Sequence, residues 1–259
     1  MSSLAALIKS EWRKVSSTKL LWILTLASIA WCALNVALLV LVVPSSPDLT
    51  GRDALMDPGY LTTVLAAAGG ASIFVLILAI IGMTGEYRHM TITSTFLATP
   101  RRERVLIGKG LMYAVLGAAI AIINVIAVFF MTVLFLAGSD HATIKPSTAL
   151  SILLGVTLGL ALYAILGVSV GALLKNQIAA VIIALIWALL AEPIVGLLIE
   201  GSAKWLPGGA LSAAMNVTTE ADLSSADVLP VWGGALLLLA YAAVFATVAS
   251  LTTVRRDIT

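Results

Sequence analysis

Six stretches of this 259-residue chain are each long and apolar enough to cross a bilayer, and that decides its class before any motif is read. They cover residues 20–43, 61–83, 106–137, 148–174, 178–199 and 231–254. A helix rises about 1.5 Å per residue, so about 20 apolar residues traverse the hydrocarbon core. The third stretch exceeds that need, so its first turns stand outside the bilayer or the helix tilts. Composition agrees: 61% of the residues are hydrophobic and 11% charged, against about 45–50% and roughly 25% in soluble domains. A water-exposed globule of this size cannot hide so much apolar surface, and a disordered chain would carry far less. The single cysteine excludes a disulfide framework and a Cys-rich metal site. A net charge of +2 gives no case for nucleic-acid binding. The expected fold is an all-α, six-span polytopic membrane protein forming one domain over residues 1–259.

Orientation follows from the basic residues, which concentrate in cytoplasmic connections. Twelve of the fifteen fall in the N-terminus (Lys9, Arg13, Lys14, Lys19), the second connection (Arg88, Arg101, Arg102, Arg104, Lys109), the fourth (Lys175) and the tail (Arg255, Arg256). Only Arg52, Lys145 and Lys204 lie on the other side. Both termini are therefore expected in the cytoplasm. A cleavable signal peptide fits poorly, because the basic region and the apolar run that follows are both too long. Within residues 1–19, Leu4, Leu7, Ile8, Trp12 and Val15 recur at helical spacing, which predicts an amphipathic helix along the inner membrane surface. It is either an anchor or a lever carrying force into the first span. Cys32 reads as an inert, buried membrane cysteine.

Signatures of soluble catalysis are absent. There is no GxxxxGK[ST] phosphate loop, no HExxH and no GxSxG. The two histidines, His89 and His141, both lie outside the spans, which excludes paired haem ligation within the bilayer. Glu192, followed by Pro193, is the one carboxylate deep in a span. An ionisable group at that depth is a functional candidate, unless the helix bends at Pro193 and brings Glu192 to outer-interface water. Asn35, Phe74, Asn124, Trp187 and Glu192 are candidate substrate-path residues; for the asparagines, hydrogen bonds between helices are the competing reading. Gly155/Gly159, Gly167/Gly171 and Ala68-Gly69-Gly70-Ala71 predict close helix approach.

The most informative segment is GEYRHMTITSTFLATPRRERVLIGK, residues 85–109. Thr99 can cap a helix whose first residue is Pro100, which would then present Arg101, Arg102 and Arg104 before the third span. In this segment the chain resembles the type 2 permeases of ATP-binding cassette (ABC) exporters, the drug, antibiotic and lipid efflux class. Glu86 closes the second span, Thr91 and the Pro100-Arg101-Arg102 helix start follow, and Lys109 opens the third. Met90 stands where that family usually has glycine. The likeness extends to the amphipathic N-terminus, the six spans, the tight Lys175-Asn176-Gln177 turn and a late Leu206-Pro207-Gly208-Gly209.

The resemblance implies that residues 85–109, with Tyr87 and Arg88 included, form a cytoplasmic coupling element. It would seat in a groove of a separate ATPase subunit, one of two in the complex that bind ATP and Mg, leaving this chain non-catalytic and without a cofactor of its own. The loop's charged groups would pair within the loop and against the ATPase. It also implies a second copy or a similar permease, a hydrophobic or amphipathic substrate, and a bacterial plasma membrane. Residues 201–230 would fold back into the membrane as an outer gate carrying Trp205, Leu206, Pro207 and Gly208. An ion-coupled secondary transporter, or an intramembrane lipid- or quinone-binding subunit, is the alternative reading. The first of these should show inverted repeats and broken helices with polar centres.

Overall fold

The computed structural model describes residues 4–42, 55–91, 102–137, 143, 145–216 and 228–254, with side chains at 4–7, 102, 253 and 254 left aside. Among the described residues there are helices and turns and no strand. Six helices are long and apolar enough to cross a membrane: Lys19–Val42, Pro58–Arg88, Glu103–Leu136, Pro146–Leu173, Gln177–Leu198 and Val231–Thr252. Each lies within a few residues of its expected place. The chain is a multi-pass helical membrane protein.

Helix α1 (Leu4–Ser16) turns sharply into α2 (Lys19–Ala37), which finishes in a π turn, Leu38–Val42. The corner closes on itself: the Ser17 hydroxyl donates to the Lys14 carbonyl at 2.9 Å and the Thr18 hydroxyl to the Val15 carbonyl at 2.8 Å. Those bonds satisfy acceptors that the end of a helix leaves open. The second span is α3 (Pro58–Ala66), a 3₁₀ turn (Ala67–Ala71) and α4 (Ser72–Arg88). Asp57 caps it by accepting the Gly59 N–H at 2.9 Å, with Pro58 in the first helical position. The 3₁₀ break falls on the small residues predicted for close approach. A side chain at Gly69 would press on Met215, and one at Gly70 on Trp31.

Helix α5 (Arg102–Leu136) forms the third span without interruption, and α6 (Pro146–Leu173) the fourth. The fifth comprises α7 (Gln177–Ile186), a π turn (Trp187–Ala191) and α8 (Glu192–Leu198). Asn176 starts α7 by accepting the Ile178 and Ala179 N–H groups at 3.0 and 3.1 Å, so the expected tight turn is a helix stop followed by a capped start. A 3₁₀ turn (Ala203–Trp205) and α9 (Pro207–Ala214) precede the sixth span, α10 (Val231–Ala249) with its π turn Ser250–Val254.

Helix α6 is the hub, packed against α4, α5, α9 and α10. Its glycine pairs explain how. Gly167 and Gly171 admit Leu76, Ala79, Ile80 and Met83 of α4, while Gly155 and Gly159 admit Met215 just beyond α9. Without a hydrophobic drive between helices in lipid, such close backbone approach is a main source of cohesion. The fifth span is the outermost, with Ile178, Ile182, Ile186, Leu190 and Leu197 exposed on this single chain. Alternation of the spans puts α1, the α4–α5 connection, the α6–α7 turn and the end of α10 at one end of the bundle, called here the α1 end. The α9 segment lies at the other.

Candidate functional site

Helix α1 carries Ile8, Glu11 and Val15 at three- and four-residue spacing, hence on one face. Ile8 packs against the core and Val15 is buried, but the residue between them is a carboxylate that is 4% exposed. Burying a charge is costly unless it is paired and hydrogen-bonded. Here both oxygens of Glu11 are paired. Glu11 Oε1 accepts from Lys14 Nζ at 2.6 Å, and Glu11 Oε2 accepts from Lys109 Nζ. Glu86 Oε1 accepts from Lys14 at 2.8 Å and lies 3.0 Å from Lys109 Nζ. Two carboxylates and two ammonium groups thus form a closed square of zero net charge.

Three pieces of chain meet in it: α1 gives Glu11 and Lys14, the last turn of α4 gives Glu86, and the early turns of α5 give Lys109. Lys109 is 1% exposed, the largest fully buried side chain among the described residues. Its ammonium also donates to the Gly82 carbonyl at 3.3 Å and sits 5.9 Å from the Tyr113 ring centroid. A Cβ at Gly82 would occupy the space of the Tyr113 ring, so glycine is what lets α4 and α5 close to this distance. The early turns of α5 are covered by α1 and α4: Val105, Lys109 and Met112 are all buried.

Burial by itself raises the Glu11 carboxyl pKa, but the charge and hydrogen bond of Lys109 and the bond from Lys14 outweigh it and hold it below its ordinary 4.5. Burial lowers the Lys14 pKa, and its bonds to Glu11 and Glu86 outweigh that, holding it above 10.5.

The end of α4 has its own geometry. The Thr91 N–H donates to the Glu86 carbonyl at 3.0 Å and the Met90 N–H to the Tyr87 carbonyl at 3.3 Å, the paired bonds of a Schellman helix stop. That motif needs a left-handed residue, and Met90 supplies it at φ 57°. Glycine adopts this conformation freely, and Met90 meets the requirement under strain. Arg88 donates to Gln177 Oε1 at 3.5 Å, tying the second span to the start of the fifth, and the Tyr87 hydroxyl is buried with no partner among the described residues. Arg104 is half-buried on α5. Thr99, Pro100 and Arg101 lie outside the described residues, as does the side chain of Arg102.

Sequence reasoning placed Glu86 and Lys109 at the two ends of the loop, and the structure brings them together. It missed Glu11, and it read Lys14 only as an orientation signal. On α1 the structure buries Glu11 and Val15 and packs the half-buried Ile8 against the core, while Trp12 is 50% exposed. The side chains of Leu4 and Leu7 lie outside the described ones. Glu86 pairs with Lys14 of α1 and, across the two described ends of the 85–109 segment, with Lys109.

The five substrate-path candidates lie on different elements of the chain: α2, α4, α5, the π turn of the fifth span and α8. Asn124 is fully buried and donates to the Ser28 hydroxyl and the Ile120 carbonyl, both at 2.9 Å, which makes it a link between α5 and α2. Asn35 donates to the Trp31 carbonyl of its own helix at 2.8 Å, and Phe74 is half-buried on α4. Glu192 is 8% exposed. It does not reach open interface water. The π turn before Pro193 absorbs the missing proline donor, and Glu192 Oε2 accepts the Gly208 N–H at 2.6 Å. Trp187, on the π turn before it, is 45% exposed, and Glu192 Oε1 is buried with no hydrogen-bond partner among the described residues.

The bond from Gly208 latches the α9 segment onto the fifth span. Side chains at Gly208 or Gly209 would strike the Glu192 carboxylate or the Ala203 carbonyl, which accounts for the Pro207-Gly208-Gly209 run. Pro207 is buried and Leu206 half-buried, whereas Trp205 is 55% exposed and its carbonyl accepts from the Tyr241 hydroxyl at 2.8 Å. No protein-family model matches the chain, and no curated protein matches it.

Proposed function

We propose that this chain is the membrane subunit of an ABC exporter, coupling ATP hydrolysis in separate ATPase subunits to efflux of a hydrophobic or amphipathic compound. The observation that carries the reading is the closed square of Glu11, Lys14, Glu86 and Lys109 at the base of the loop that resembles a coupling element. A loop that only marked orientation would need surface arginines and nothing more. A loop that transmits force needs its two ends fixed to each other and to whatever lies along the membrane surface, and buried ion pairs on three helices supply that stiffness.

In this reading the α1 end is cytoplasmic, consistent with its twelve Lys and Arg, and α1 lies in the interface as a lever. Its half-exposed Trp12 faces headgroups while Ile8, Glu11 and Val15 face the bundle. The α9 segment is the outer gate, held shut by Glu192. Two copies enclose the substrate path, which agrees with the scattered positions of Asn35, Phe74, Asn124, Trp187 and Glu192 in one copy and with the bare apolar surface of the fifth span. Glu192 is committed to the Gly208 amide, which counts against its use as the free carboxylate of an ion-coupled carrier.

The experiment is ATP hydrolysis by the assembled complex, with and without Lys109→Met. Hydrolysis that loses its response to substrate while all subunits remain bound supports the assignment. Hydrolysis and transport at wild-type rates would reduce the square to an anchor.

A further inference from the structure

Charge at the α1 end is one-sided. That end, with the segments that continue from it, carries twelve Lys and Arg and four acids, Glu11, Glu86, Glu103 and Asp257. The square takes Glu11 and Glu86 together with Lys14 and Lys109 into a unit of zero net charge. Ten basic residues and two acids remain for the surface. Residues 1–3 and 92–101 contain no acid that could offset them. On α1 itself Glu11 is the only acid, so its outer surface carries cations alone.

Those cations have a defined place. Successive residues turn by about 100° around a helix. Lys14 lies on the flank of Glu11 that meets α4, where it bonds Glu86. Trp12 lies on the other flank, about 100° from Glu11, with Lys9 about 60° beyond it and Arg13 about 40° further. All three are exposed. Lys19 is exposed too, at the start of α2. Among the described residues Lys9, Arg13 and Lys19 make no ion pair. Trp22 and Leu26 follow Lys19 on one face of α2 and are 65% and 64% exposed. That face is apolar below Lys19 and meets hydrocarbon, so Lys19 and Trp22 mark the headgroup level.

We propose that the Trp12–Lys9–Arg13 flank of α1, with Lys19 at the corner, docks on anionic phospholipid in the leaflet beside it. The tryptophans combine an apolar ring with an N–H, which suits the headgroup layer. Each Lys or Arg near an anionic surface favours contact by about fivefold. A zwitterionic leaflet carries an ammonium for every phosphate and does not supply that gain. An acidic protein would match the cations, but Lys19 stands directly above the apolar Trp22–Leu26 face, and only a bilayer offers headgroups beside hydrocarbon. The proposal rests on α1 lying in the interface and not on the ATPase.

The test uses the full chain with Cys32→Ala and a cysteine in place of Ser16, which is exposed and lies between Trp12 and Lys9 around the helix. The cysteine carries an uncharged fluorophore. The chain is reconstituted into vesicles of equimolar phosphatidylglycerol and phosphatidylcholine with matched acyl chains, brominated on one lipid or on the other to quench the label. Quenching should report about fivefold more phosphatidylglycerol than phosphatidylcholine beside it at low salt. The ratio should fall toward one at about 1 M salt, where screening acts within about 3 Å. Lys9→Gln, Arg13→Gln and Lys19→Gln together should also bring it close to one, with nine basic residues left to keep the orientation. Lys9→Arg, Arg13→Lys and Lys19→Arg together should preserve it. Equal quenching by the two lipids keeps α1 in the interface and overturns the lipid choice alone. Quenching by neither overturns the interfacial placement as well and leaves the flank to a protein. A preference that survives the triple Gln variant belongs to other cations and overturns the proposal too.

Discussion

Replacing Lys109 by methionine keeps the length and the apolar contacts of the side chain and deletes one charge from the square. Lys109 is 1% exposed and serves both Glu11 and Glu86. Without it two buried carboxylates share Lys14, which is itself 45% exposed. Removing one partner of a buried pair typically costs about 3–5 kcal/mol, against roughly 0–1 for an exposed pair. The loss is capped by the free energy that docks α1, because an undocked α1 returns Glu11 and Lys14 to solvent. The assay therefore measures undocking: a cysteine at Val15, which is 6% exposed, in a background where buried Cys32 is replaced by alanine. Its modification rate reports the open fraction. Lys109→Met should raise that rate by roughly 100- to 5,000-fold, the equivalent of that loss. Adding Glu11→Gln makes the remaining Lys14–Glu86 pair neutral overall and should recover a large part of it, a coupling of about 1–3 kcal/mol. A change below about fivefold for the single variant would refute a buried, mutually dependent square.

The pH dependence of the same rate, normalised to a free thiol, follows from the shifted groups. Glu11, held below 4.5, stabilises docking above that value and loses the contribution as pH falls through its lower folded pKa; Lys14, held above 10.5, contributes below that value and loses it as pH rises through its higher one. Docking should be flat from about pH 5.5 to 9.5, and Glu11→Gln should remove the acid limb. Met90 is 74% exposed at φ 57°, so Met90→Gly loses no packing and should raise stability by about 0.5–1 kcal/mol, read as a higher unfolding midpoint, while Met90→Ala should not. Glu192→Ala should free the α9 segment at a cost of about 1.5–3 kcal/mol, measured as labelling of a cysteine at Leu211, whereas Glu192→Gln keeps an acceptor for Gly208 and should stay closer to wild type.

The spans were legible because lipid imposes one rule on every residue of a helix, and long apolar runs leave no other reading. The Asn176 stop and the residues flanking the loop were legible for similarly local reasons. The square was half legible. Glu86 and Lys109 stand out as charges at span ends, but their meeting depends on α4 and α5 closing over Gly82, a contact set by Tyr113 thirty-one residues further along. Glu11 was hidden by its apolar neighbours. A hydrophobic stripe is found by counting apolar residues, so a carboxylate three residues after Ile8 and four before Val15 registers as a gap in the stripe. Its spacing was the signal available, because a lone acid within an apolar face demands a buried partner. The fate of Glu192 was illegible for a different reason: its partner is a backbone amide at Gly208, and no side-chain pattern announces it.

The central claim is that this chain works with a separate ATPase. Affinity purification of the tagged full chain from the cells that make it, in a mild detergent and followed by protein identification, tests it most directly. The account predicts an ABC-type ATPase recovered in equal amount with the permease, two of each per particle, with ATP hydrolysis in the eluate. A chain recovered without any ATPase, in a particle that still binds or moves its substrate, would contradict it.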